Sequence, residues 1–163
     1  MSTSETSIRE LLKNTKVETL MNPKVVTVYE DQDVSDAHEK FVAYGVTHLI
    51  VLNRQDQLVG LLTPKYVYKT QSPRKILNED MLYQAGILVD GDTFYEREML
   101  DGFILRNMMK KSPFTLRRNS SAAEAVREMA LRKLSCIPIV DKEKKVIGIL
   151  TDWEIINFMY RLL

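Results

Sequence analysis

The chain has a single cysteine and only two histidines, and these scarcities exclude whole classes of protein. Cys136 alone cannot build an intramolecular disulfide framework. His38 and His48 stand ten residues apart and match no Cys/His spacing of a zinc site, so no metal is expected. An excess of one charge is also missing: 23 Lys and Arg face 22 Asp and Glu, for a net charge of +1. No global field holds a polyanion, and nucleic acid is not an expected partner. No apolar run approaches the roughly 18 residues that cross a bilayer. The polar start Met1-Ser2-Thr3-Ser4-Glu5-Thr6-Ser7 is no secretory signal. Together these absences lead to the expectation of a cytoplasmic protein that binds neither membrane nor nucleic acid.

What is present has ordinary globular proportions, with 45% apolar and 28% charged residues, so neither disorder nor a fibrous architecture is favoured. At 163 residues the chain suffices for one domain, or for two small units that share a core because neither buries enough apolar surface alone.

An internal repeat favours the second arrangement. Gly60-Leu61-Leu62-Thr63 returns as Gly148-Ile149-Leu150-Thr151, an offset of 88 residues. The same offset places Met21 on Met109, Thr27 on Thr115, Ala37 on Ala125, Thr47 on Ser135 and Asn53 on Asp141. Each copy reads as strand, helix, strand, strand, helix. In the first, Val25-Val26-Thr27-Val28 predicts a strand. Val34, Ala37, Phe41 and Tyr44 follow helical spacing up to Gly45, a helix stop. His48–Leu52 and Leu58–Leu62 predict two strands around the polar connection Asn53–Gln57. In the second, Ala122, Ala125, Val126, Met129 and Ala130 form the helical face, and Ile137–Val140 and Val146–Leu150 the strands. Pro138 suits an edge or a strand start. Thr63 with Pro64, and Thr151 with Glu154 three residues on, predict helix starts, the latter as a capping box.

A Met near the start, a Thr in the first strand, a small polar residue before an apolar strand and Gly-apolar-apolar-Thr opening the last helix resemble the CBS repeat. Two of them resemble a Bateman module. The resemblance rests most on Leu134–Asp141 and Val146–Asp152. It implies an α/β fold of the α+β type, with two repeats packed about a pseudo-two-fold axis. The organisation is then a leading helix over 1–16, repeats over 17–70 and 105–163, and a linker over 71–104. Ile8, Leu11 and Leu12, after Ser7 as cap, form the leading helix.

The resemblance further implies clefts between the repeats for an adenosine-containing regulatory ligand: AMP, ADP or ATP first, S-adenosylmethionine or a cyclic dinucleotide as further options. Thr115, Ser135, Cys136, Ile137, Pro138, Thr151, Asp152 and Glu154 would line one cleft. Thr27, Thr47, His48, Thr63 and Lys65 would line the other. A helix start offers N–H groups and a positive dipole end to phosphate, and an acid three residues after the threonine accepts from ribose hydroxyls. Only the second repeat keeps that acid, as Glu154; the first has Tyr66. Asymmetric occupancy is therefore expected.

No catalytic residue is expected, since no nucleophile–base pair, metal set or Gly-rich phosphate loop emerges. His48 and Cys136 read as structural residues. Ile155, Ile156, Met159, Leu162 and Leu163 give the last helix a wide apolar face, which burial against the leading helix or in a homodimer would cover. The function expected is a stand-alone regulatory module acting on a protein partner by conformational change; the alternative is a ligand-independent scaffold that exists to dimerise and whose segment from Tyr68 to Leu105 contacts a protein.

Overall fold

The computed structural model describes residues 3–65 and 104–163. Tyr66 and the linker short of Ile104 lie outside the described residues. The elements are α1 (Thr3–Asn14), a 3-10 turn (Val17–Thr19), β1 (Thr27–Tyr29), α2 (Val34–Tyr44), β2 (Leu49–Leu52), β3 (Leu58–Leu62), α3 (Leu105–Met108), β4 (Lys110–Lys111), α4 (Ala122–Arg132), β5 (Cys136–Val140), β6 (Val146–Thr151) and α5 (Asp152–Tyr160).

Two compact units result, and their bounds cross those of the repeats. Unit 1 takes Met1–Val25, Gln55–Leu58 and Ser112–Leu163, whereas unit 2 takes Val26–Arg54 and Val59–Lys111. The segment that opens each repeat is thus built into the unit that carries the strands of the other repeat.

In unit 2 the sheet order is β1-β2-β3-β4. β1 runs parallel to β2 with Thr27 opposite Ile50, and β4 pairs antiparallel with β3 through Lys110 opposite Leu61. α2 starts where Asp33 accepts from the Asp36 N–H at 3.1 Å, while the Asp36 carboxylate accepts from the Asp33 N–H at 3.4 Å. It stops at Gly45, whose φ of 60° a residue without a Cβ adopts at no steric cost. Val34, Ala37 and Phe41 of the predicted stripe are buried, but Tyr44 is 64% exposed. Tyr44 falls in the last turn, where its hydroxyl tip tolerates water. Leu105 and Met109 from the opening of repeat 2 complete this core with Val28, Leu49, Val51 and Leu62. Each fully buried aliphatic side chain contributes about 1.5–3 kcal/mol.

Unit 1 repeats the plan with less ladder. β5 and β6 are antiparallel. Leu116 bridges Ile139 on one side, and Asn22 bridges Ile149 on the other. Only a single bridge stands where repeat 1 has β1, so the predicted strand around Thr115 is shorter than its counterpart. Val17 takes the place that Leu105 has in unit 2, beside Leu116, Ala125, Ile137, Ile139 and Leu150. Pro138 sits inside β5, but its carbonyl accepts from the Leu116 N–H at 3.2 Å. Its nitrogen therefore faces away from β6, and the β5–β6 ladder loses no donor.

α1 packs on α4. It begins at Thr3, so Ser7 lies within the helix rather than capping it: the preceding residues already continue the turn, and serine in a helix interior costs only a few tenths of a kcal/mol, on the order of its propensity difference from alanine. Of the apolar face predicted on the last helix, Ile155 packs against the unit 1 core, whereas Ile156, Met159, Leu162 and Leu163 are exposed. Trp153, Ile156 and Tyr160 are 67%, 59% and 72% exposed among the described residues. No helix among the described residues is long and apolar enough to cross a membrane.

Candidate functional site

Eight of the predicted residues belong to unit 1. The antiparallel register sets Cys136 opposite Thr151, Ile137 opposite Leu150 and Pro138 opposite Ile149. The end of β6 turns directly into α5, so Thr151, Asp152 and Glu154 gather beside the start of β5. The Asp152 N–H donates to the Ser135 carbonyl at 3.0 Å, which fastens the helix start to the residue before β5. Thr115 precedes Leu116 and so flanks Pro138, the acceptor of the Leu116 N–H.

Ile137 is fully buried in the core, so it can offer a ligand only its backbone. Cys136 is different in its main chain. Because Pro138 points its carbonyl toward Leu116 and strand residues alternate, the Cys136 N–H and C=O also point away from β6. The Cys136 side chain is buried, and its thiol is pushed up to about 12 by burial first and then by the negative charges of Glu154 and Asp152. It remains protonated near neutral pH and is no nucleophile there.

Glu154 closes the capping box. Its Oε2 accepts from the Thr151 N–H at 2.9 Å and also from the Thr151 hydroxyl. The Trp153 N–H donates to Asp152 Oδ1 at 2.9 Å. The N–H groups of Thr151, Asp152 and Trp153 thus already have acceptors within the chain, contrary to the expectation that this helix start presents open donors.

The other five predicted residues belong to unit 2. Thr27 opens β1, and its carbonyl accepts from Lys40 Nζ at 2.6 Å. Thr47 Oγ1 is hydrogen-bonded to His48 Nδ1 at 2.9 Å. His48 is buried, which fits its structural reading. Thr63 follows β3 and Lys65 is exposed. The structure brings Thr47 and His48 into direct contact and places Thr27 and Thr63 at the strand ends. Lys40 is a cation that the sequence pattern did not single out; it lies beside Phe41 on α2, and periodicity alone marks it as an ordinary polar position. Trp153, between the two acids in sequence, is likewise not marked by the repeat pattern.

Among the described residues, no cluster of three His, Cys, Asp or Glu could hold a metal ion. The family model for the CBS domain matches residues 17–72 and 105–161. The chain belongs to the CBS-domain family.

Comparison with solved CBS pairs gives the same fold. CBSX2, a protein of Arabidopsis thaliana, solved in complex with AMP, has a TM-score of 0.69 at 22% identity, over 91% of this chain and 98% of that one. A CBS domain pair in complex with 5′-methylthioadenosine and S-adenosyl-L-methionine also has a TM-score of 0.69, at 17% identity, over 91% of this chain and 98% of that one. Among curated proteins, a homoserine O-acetyltransferase of Methanosalsum zhilinae is 26% identical over 144 residues, 88% of this CBS pair. The pair spans only 24% of that relative's length.

Proposed function

We propose that this CBS pair is a cytoplasmic, non-catalytic regulatory module that binds an adenosine-containing ligand in unit 1, through repeats over 17–70 and 105–163 joined by the 71–104 segment. The observation that carries the reading is the convergence of Cys136, Thr151 and Glu154 through the β5–β6 register. The outward-facing N–H and C=O of Cys136 suit the donor and acceptor edge of adenine. Glu154 uses only Oε2 for the cap, and a carboxylate accepts on both oxygens, so Oε1 can receive ribose hydroxyls. The cap and the ribose contact are then compatible. Solved relatives in complex with AMP, or with 5′-methylthioadenosine and S-adenosyl-L-methionine, support the ligand class.

Regulation follows by linkage. A ligand changes a partner protein's affinity only by as much as it prefers one arrangement of the module over another. The apolar, exposed Trp153, Ile156 and Tyr160 of α5 support a homodimer that covers this helix. Isothermal titration calorimetry of the full chain with adenosine, AMP, ATP and S-adenosylmethionine tests the ligand reading. At least one compound is expected to bind, and Glu154→Ala to weaken it by about tenfold, the loss of a charge-assisted hydrogen bond. Undiminished binding in that variant removes Glu154 from the site.

A further inference from the structure

The start of α5 is built against anions. Its first turn carries Asp152 and Glu154, and the residue between them is Trp153 rather than a cation. The Thr151 N–H and hydroxyl both donate to Glu154, the Asp152 N–H to Ser135, and the Trp153 N–H to Asp152. A phosphate approaching this end meets two carboxylates, and the donors that ordinarily attract it to a helix start already serve acceptors of the chain. No Lys or Arg occurs among the eight unit 1 residues, and the cations nearest them in sequence, Arg117 and Lys133, are exposed. The Cys136 thiol, held up first by its burial, is pushed further by the same two carboxylates, so their field reaches the strand that would face adenine. The residue set in unit 2 contrasts with this: Lys65 follows Thr63, and Lys40 stands at Thr27.

From this geometry we infer that the unit 1 site selects adenosine compounds without a 5′-phosphate, and favours those with a positive charge at the 5′ position, such as a sulfonium. The inference rests on the proposed adenosine site and refines its ligand class. Glu154 remains the ribose acceptor through Oε1, whereas Asp152 has no part in holding a ribose and acts on the 5′ substituent through its charge. Like charges repel at this range, and each added negative charge on the ligand lowers affinity.

Calorimetric titration of the full chain with adenosine, 5′-methylthioadenosine, S-adenosylmethionine and AMP tests it. The three phosphate-free compounds are expected to bind more tightly than AMP by about tenfold, with S-adenosylmethionine the tightest. Their signal must fall in Glu154→Ala, which assigns it to this site. Asp152→Asn keeps the acceptor for the Trp153 N–H but removes a charge, and is expected to raise the ratio of AMP to adenosine affinity several-fold, as is added salt, which screens the repulsion. AMP binding more tightly than adenosine, with a ratio unmoved by Asp152→Asn, overturns the charge selection and leaves the adenosine site standing. Binding of none of the four overturns the adenosine site as well.

Discussion

The thioether of Met109 lies against the backbone of Gly60, so close that a Cβ on that glycine would stand 2.7 Å from Met109 Cγ and nearer still to the sulfur. Met21 has the same relation to Gly148, where the corresponding distance to Cγ is 2.9 Å. Both pairs are related by the 88-residue offset. The glycines that begin Gly-apolar-apolar-Thr are therefore packing sites for the methionines that begin the repeats.

Gly60→Ala and Gly148→Ala should each destabilise the chain by about 1–3 kcal/mol, the usual cost of overpacking. Met109→Ala makes room for the new methyl group, so in a Gly60→Ala background its own cost should shrink. Urea denaturation of the two single variants and the double variant measures that coupling; strictly additive losses would mean that the two residues do not touch in solution.

The crossing of opening segments between units makes neither repeat self-sufficient. A fragment of 105–163 lacks Val17 and Met21, which pack with Leu116, Ile137 and Leu150 in unit 1. Alone it should show no cooperative thermal transition by circular dichroism. A peptide of residues 1–25 added in trans should restore one.

Lys133 ends α4 with φ of 53°, the position at which repeat 1 has Gly45. A left-handed lysine costs about 1 kcal/mol that glycine avoids. Lys133→Gly is therefore expected to raise the unfolding midpoint, and Gly45→Lys to lower it, when both are measured by the same thermal melt.

Burial and the two acids raise the Cys136 thiol from 9.0 to about 12 in the folded chain. The unfolded chain then releases this proton first. The stability linked to the thiol is complete below pH 9 and is lost as pH rises from 9 toward 12. Cys136→Ala should flatten that part of the stability profile, read by urea denaturation over the alkaline range, and native alkylation at pH 8 should be slow.

Much of this was legible in the sequence because apolar spacing and the 88-residue offset are local signals. They predicted β3, the stop at Gly45, the α2 face through Phe41 and the Thr151–Glu154 cap. Other features depend on long-range pairing. Nothing near Met21 says that it packs on Gly148, and no periodicity places Val17 in the core beside Leu150. The site shows the same division. The candidates at Thr151 and Glu154 follow from a short motif, but the donation of the Asp152 N–H to Ser135 depends on how β5 and β6 align, and so the closure of the helix start to anions was hidden.

In the proposed function an adenosine-containing ligand binds the folded chain through Glu154. Differential scanning fluorimetry against adenosine, AMP, ADP, ATP, S-adenosylmethionine, 5′-methylthioadenosine and cyclic dinucleotides measures this directly, since a ligand at a hundredfold excess over its Kd stabilises the fold by about 2.7 kcal/mol. Binding through Glu154 predicts a rise in melting temperature with a subset of these compounds, about half as large in Glu154→Ala at the same ligand concentration. No rise with any of them, or an equal rise in Glu154→Ala, contradicts it.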